Sequence, residues 1–348
     1  MSSGYFHRVT KETPTRFWVN NPSGAEMDRA LAAGAINCTT NPAYCSKLFK
    51  SDPDYIRDII DCVIQDTRDD DAAADRVYQV ASYRVLQRFL PLYELSSGTC
   101  GFVTLQGDPR LDEEPQAIVE ATTTYRALGP NFMTKIPVTA AGLQVIEAAV
   151  EANIPICATE IFSLAQAIVV CERYERAAEK TGNYPTFFVT HISGIFDEYL
   201  EKVVKREGIE IAPEVLAQAG CAVARKEYWL LKERGYRTTL LGGGARGTHH
   251  FTEMVGGDVH VTINWSTAEE LISAGTPVVS RIDAETPQSV IDELGEKFEV
   301  FRQAYCEDGL KVEEFVGYGP VQLFRNAFLT GWYLLLAEIT ARRNALAL

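Results

Sequence analysis

The run FMTKIPV (132–138), the stretch GLQVIEAAVEAN (142–153) and the run PICATEIF (155–162) follow one another near the middle of the chain. The two runs are short and rich in β-branched and aromatic residues. The stretch between them carries its apolar residues at spacings of three and four. Strand, amphipathic helix and strand is the unit this order predicts. The same alternation continues outward. Upstream lie RFWVN (16–20), AINCTTN (35–41) and GFVTLQGD (101–108), and downstream TFFVTHIS (186–193), RTTLLGGG (237–244) and VHVTINW (259–265). Helical patterns such as SLAQAIVVCERYERAAEK (163–180) and PEVLAQAGCAVARKEYWLLKERG (213–235) stand between them. Eight alternations over about 250 residues predict an α/β fold of the (β/α)₈ TIM-barrel type. An open doubly wound sheet is the alternative, with its ligand at a switch point between strands.

The 348 residues are read as one barrel domain, 1–348, with two additions. A segment at 42–100 is too long for a connection and holds two helical patterns, DPDYIRDIIDCVIQ and ADRVYQVASYRVLQRFLPLYEL, so a helical insertion after the second strand is expected. The tail at 276–348 is helix-like and rich in Phe, Tyr and Leu. It should form a C-terminal extension packed on the barrel or on another subunit, and its apolar content suggests a homodimer.

Apolar residues make up 46% of the chain and charged residues 23%, within the range of globular proteins. A net charge of −14 argues against a nucleic-acid partner, because that affinity comes from Lys and Arg neutralising phosphates. The amino terminus lacks a basic region followed by an apolar core, and GWYLLLAEI (331–339) is too short to span a bilayer, so the expectation is a cytoplasmic protein without a membrane partner. The eight cysteines are scattered and form no C-x-x-C pair, and the five histidines offer little for a metal site. No metal ion and no cofactor is expected.

In a parallel barrel the carboxyl ends of the strands form the active site, and residues two apart on a strand share a face. That selects Asn20, Asn41, Gln106, Lys135, Cys157 with Thr159, Thr190 with Ile192, and Arg246. Lys135 carries the most information, since a lysine inside an apolar run is costly to bury unless its pKa falls or it is paired. A neutral amine there is a nucleophile toward carbonyls. The alternative is a strand-end lysine that snorkels to solvent. Asn20, Gln106 and Thr159 would line the same pocket, although each taken singly is as well explained as a cap or turn residue. The glycine run at 242–247 follows the seventh strand, where a phosphate site with Arg246 is one reading and a tight turn the other. Glu160, next to Thr159, should by alternation face the helices, as a structural ion pair or at the rim. His191 shares that phase.

Three motifs together resemble the transaldolase family: Thr39-Thr40-Asn41-Pro42, the run from Pro130 to Pro137, and Ile161-Phe162-Ser163 with Gln166-Ala167. The resemblance spans about residues 16 to 275. It implies a class I aldolase mechanism, in which Lys135 forms an imine with a ketose or ketose phosphate, the C3–C4 bond breaks, and a dihydroxyacetone unit passes to an aldehyde. It also implies that Asn41 binds substrate, that Thr159 helps hold a catalytic water, and that Arg246 is one of two phosphate-binding arginines. The chain departs from the pattern at four points. Asn20, or alternatively Asn21, stands for an Asp, and Gln106 stands for a Glu, the latter as in fructose 6-phosphate aldolases. Cys157 replaces an Asn, and the family's Ser-Pro-Phe/Tyr-Val-Gly-Arg becomes Thr190-His191-Ile192-Ser193-Gly194-Ile195, without the second arginine. Transfer of the three-carbon unit is therefore expected on an atypical substrate, with simple aldol cleavage or a silent sugar-phosphate binding barrel as alternatives.

Overall fold

The structure, a computed structural model, describes residues 4–346. Eight strands run in chain order: β1 (Arg16–Asn20), β2 (Asn37–Thr39), β3 (Val103–Leu105), β4 (Phe132–Pro137), β5 (Ile156–Ile161), β6 (Phe187–His191), β7 (Thr239–Gly242) and β8 (Val259–Ile263). Each pairs in parallel with its neighbour, and β1 pairs with β8, so the sheet closes into a barrel. Closure discards the open sheet. Each strand falls inside one of the eight runs, and most are shorter than the run by a residue or two at an end. The trimmed residues at the carboxyl ends leave the ladder and turn toward the barrel mouth. Helices cover the outside, so strands such as β4 and β5 are buried on both faces along their length.

The barrel interior is layered. Trp18, Phe102, Met133, Phe188 and Leu241 form an apolar plug toward the amino-terminal end. Trp18 Nε1 donates to His260 Nδ1 at 2.8 Å, and burial pushes His260 down to about 3, so its ring is neutral and can accept. One step along each strand toward the carboxyl end the inward side chains become polar, with Asn20, Thr39, Lys135, Thr159, Thr190 and Thr262. The plug is a floor under a polar chamber.

The segment after β2 folds as three helices, Tyr44–Ser51, Pro53–Asp66 and Asp70–Leu95. Two of them match the patterns read from the sequence; the first, eight residues long, is too short to declare a periodicity. The tail ends in a 28-residue helix, Gly319–Leu346, that lies across these helices and reaches β5. Its inward face is Phe324, Phe328, Trp332, Leu335 and Ile339, all buried. Gly331 lets it approach closely, since a Cβ there would stand 2.7 Å from Ala43 Cα. Most of the apolar content behind the homodimer expectation is thus turned onto the chain itself, leaving Tyr333 and Leu334 outside. Among the described residues no helix is long and apolar enough to cross a membrane.

Candidate active site

Lys135 sits in β4 opposite Cys157 of β5, and its side chain enters the polar chamber. It is 6% exposed. Among the described residues its Nζ makes no ion pair and no hydrogen bond; the rings of Phe328 and Phe324 stand near it, with centroids at 5.2 and 5.9 Å. Burial lowers its pKa from the usual lysine range, and Cys157, Glu160 and Asp112 offset part of that effect. The snorkelling alternative is thereby set aside: the amine lies inside the barrel under two phenyl rings from the C-terminal helix.

Two cavities meet at Lys135. One, of about 180 Å³, is lined by Asn20, Asn41, Cys157, Thr159, Thr190, Ile192 and Arg246 together with Lys135 itself. Eight of the nine residues selected from the sequence therefore share one chamber. The ninth, Gln106, lines a second cleft of about 560 Å³ with Asp108, Arg110 and Asp112, and Lys135 borders that one too.

The wall made by β1, β2 and β8 is neutral, and its inward polar groups bond one another. Asn20 Nδ2 donates to Asn264 Oδ1 at 3.0 Å, Asn20 Oδ1 accepts from Thr39 Oγ1 at 2.8 Å, and Thr39 Oγ1 lies 2.7 Å from Thr262 Oγ1. Asn41 Oδ1 accepts from the Ala43 amide and so shapes the turn into the insertion. Across the chamber, Cys157 Sγ lies 3.2 Å from Thr190 Oγ1, and burial raises its thiol pKa.

The wall made by β3 and β5 differs from expectation. The register between β5 and β6 shifts between Ala158 and Ile161, and Glu160 takes a φ of +64°. Such a bulge re-aims a side chain, so simple alternation does not apply at this position. Glu160 does not stand at the rim and makes no ion pair among the described residues; it is wholly buried, and its Oε1 accepts from Gln106 Nε2 at 3.3 Å. The same amide lies 3.4 Å from Asp112 Oδ2. Gln166 explains how the bulge is held, because its Nε2 donates to the Glu160 carbonyl at 2.9 Å and its Oε1 accepts from the Phe162 amide at 3.0 Å. Burial raises the carboxyl pKa of both Glu160, to about 7, and Asp112, with Arg325 of the C-terminal helix pulling each the other way.

Arg246 lines the chamber but is not free. Its Nε donates to Glu198 Oε2 at 2.8 Å. The glycine turn before it is packed tightly, for Gly244 has a φ of +65° and a Cβ there would lie 2.5 Å from Ile192 Cγ2. Ile195 stands beside Arg246 on the chamber lining. His191 points away, paired with Glu227 Oε2 at 2.8 Å outside the barrel, as its phase suggests. Asp197, His249 and His250 bring three ligand-type atoms within 4.8 Å of one another, a grouping the sequence reading does not contain because Asp197 is distant in sequence. Hydrogen bonds account for Asp197: its Oδ2 lies 2.9 Å from His250 Nε2, and its Oδ1 accepts from the Gly220 amide at 2.7 Å.

Phe324, Phe328, Arg325 and Asp112 border the site without being among the residues the sequence singles out, and Glu160 does not stand where strand alternation puts it. The first three lie in a helix whose i, i+4 phenylalanines signal an apolar face without saying what it covers. Residues 17–312 match the family described as Transaldolase/Fructose-6-phosphate aldolase. The chain is 25% identical to a transaldolase of Neisseria meningitidis serogroup C over 330 residues, covering 85% of this chain and 93% of that protein. It is 26% identical to the serogroup A transaldolase over 332 residues, with the same coverage of each chain. A transaldolase of Mycobacterium ulcerans is 29% identical over 240 residues, 62% of this chain and 63% of its own.

Proposed function

Since the chain belongs to the transaldolase/fructose-6-phosphate aldolase family, we propose that it makes and breaks a carbon–carbon bond in a ketose through a Schiff base on Lys135, transferring a dihydroxyacetone-type unit to an aldehyde. The observation that carries this reading is the Lys135 amine, buried, without an ion-pair partner among the described residues, and roofed by Phe324 and Phe328. A buried amine without a carboxylate partner favours its neutral form, which is the nucleophilic one. Once the imine forms, it draws electrons from the adjacent carbon–carbon bond. Asn41, Thr190 and Thr159 supply hydrogen-bonding groups to substrate hydroxyls around it.

The donor is a ketose whose far end need not carry phosphate. A phosphate would have to draw Arg246 away from Glu198, with Ile195 and Ile192 offering it no charge. The eight unpaired thiols support a cytoplasmic setting.

Reduction with borohydride in the presence of phosphorylated and unphosphorylated ketoses tests the reading. The expected result is a stable adduct on the peptide containing Lys135, together with transfer to an added aldehyde. An unmodified Lys135 under conditions that label the Neisseria transaldolase would sink it, and tight sugar binding without cleavage would favour a silent binding barrel instead.

A further inference from the structure

Gln106 faces Lys135 across the larger cleft, and an uncharged amide cannot give or take a proton at neutral pH. Directly behind that amide stands a carboxyl group that can. Glu160 is fully buried, yet only its Oε1 is bonded, at a long 3.3 Å; Oε2 has no hydrogen-bond partner among the described residues, and neither has Gln106 Oε1 or Thr159 Oγ1. A carboxyl kept for structure alone is normally bonded on both oxygens. Holding Glu160 here also costs backbone strain, since a φ of +64° is unfavourable for any residue with a Cβ. Half-satisfied polarity and strain at one residue beside a nucleophile mark a working group.

Resting on the Schiff-base reading above, we propose that the Glu160 carboxyl, held behind Gln106 at the β5 bulge, is the acid–base group of imine formation and hydrolysis, with Gln106 as its positioning residue. The Lys135 amine adds its lone pair to the donor carbonyl, and a proton passes from nitrogen to oxygen to give the carbinolamine. Glu160 then donates its proton to the departing hydroxyl, directly or across one water. The C–O bond breaks, water leaves, the nitrogen lone pair closes the C=N bond, and a carboxylate remains beside the iminium cation. Hydrolysis runs the same path backward: the carboxylate takes a proton from the attacking water, and the carboxylic acid is restored.

The groups facing Glu160 suit this task. Arg325 comes from the C-terminal helix, Lys135 from β4 and Asp112 from the turn after β3, with Cys157 beyond Lys135. Burial works against its charge while Arg325, Gln106 and Lys135 favour it, so the carboxyl titrates near neutrality, where a proton donor and acceptor is most effective.

The test is the rate of borohydride-trappable imine formation between pH 5 and 9, in the full chain and in Glu160→Gln. In the unaltered chain the rate should show a limb near pH 7. In E160Q it should fall by about 100-fold or more and lose that limb, while Lys135 stays the labelled residue. A variant that forms imine at the unaltered rate with the same pH dependence would overturn the proposal and leave the Schiff-base reading intact. Absence of label in the unaltered chain would instead overturn that reading, and this inference with it. Should E160Q fail to fold, the unaltered profile decides: a limb near 7 supports the assignment, and a rate that only climbs toward the lysine's own titration refutes it.

Discussion

The two walls that flank Lys135 are opposites in chemistry. On the β1, β2 and β8 side, Asn264, Asn20, Thr39 and Thr262 form a continuous chain of neutral hydrogen bonds with donors matched to acceptors. On the β3 and β5 side, Gln106, Asp112 and Glu160 share a single amide between two carboxyl groups, and among the described residues two of the oxygens, Gln106 Oε1 and Glu160 Oε2, have no partner. A satisfied wall binds and holds; an unsatisfied acidic one is able to exchange protons. Among the described residues the buried carboxyl groups close to the lysine stand on that second side, and the experiments below alter the lysine the walls share, its roof and the far end of its chamber.

The largest effect should come from removing the group both walls address. Lys135→Met should abolish imine trapping and turnover altogether. It should also stabilise the protein at neutral pH. In the native state the amine pKa lies below its unfolded value, so the native state holds fewer protons and stability is lost as pH falls through that window. The methionine variant has no such loss. Its advantage should be near zero above pH 10.5 and grow on acidification by about 1.4 kcal/mol for each pH unit of the depression. Urea unfolding of both proteins from pH 6 to 10.5 measures it, and a variant that is less stable throughout would show that the lysine sits there charged.

How much of this contrast is legible before folding follows from the kind of signal each residue leaves. A strand covered on both faces writes itself as a continuous apolar run, so β4 and β5 can be located from FMTKIP and ICATEI, and Lys135 stands out as the lone cation among them. The neutral wall is readable for the same reason, since Asn20 and Thr39 close regular strands whose alternation holds. Glu160 defeats that logic, because alternation fails at a bulge and nothing at positions 158–161 announces one. The nearest signal is Gln166, whose amide clamps the bulge from the next helix, six residues on. The roof is silent for another reason: the phenylalanine spacing in the C-terminal helix specifies a face, and only tertiary packing chooses Lys135 as what that face covers.

The roof can be opened without touching either wall. Phe328→Ala removes the ring nearest Nζ and admits water to the amine. With the desolvation relieved, the lysine pKa should rise toward its ordinary value, so imine formation should need a higher pH. A shift of about one unit, equivalent to roughly a tenfold slower reaction at a fixed neutral pH, is the expected size. Rate against pH for the variant and the unaltered chain checks it. An unshifted profile would assign the shielding to the strands and insertion helices instead.

A smaller effect is expected at the far end of the chamber, where charge is already spent. Glu198 accepts from Arg246 at 2.8 Å and from Lys202 at 2.7 Å, and the two cations hold its carboxyl below the usual range despite partial burial. Glu198→Gln leaves the arginine in place but weakens the claim on it. Ketoses bearing a terminal phosphate should then bind about three- to tenfold more tightly, the scale of one partly exposed ion pair released for another. Unphosphorylated ketoses should bind as before, because nothing near Lys135 has changed. Calorimetric titration of a matched pair of ketoses, with and without the phosphate, separates the outcomes. Equal gains for both would mean that Glu198 shapes the chamber itself, and no gain for either would mean that Arg246 is held by the Gly244 and Ala245 carbonyls it also reaches.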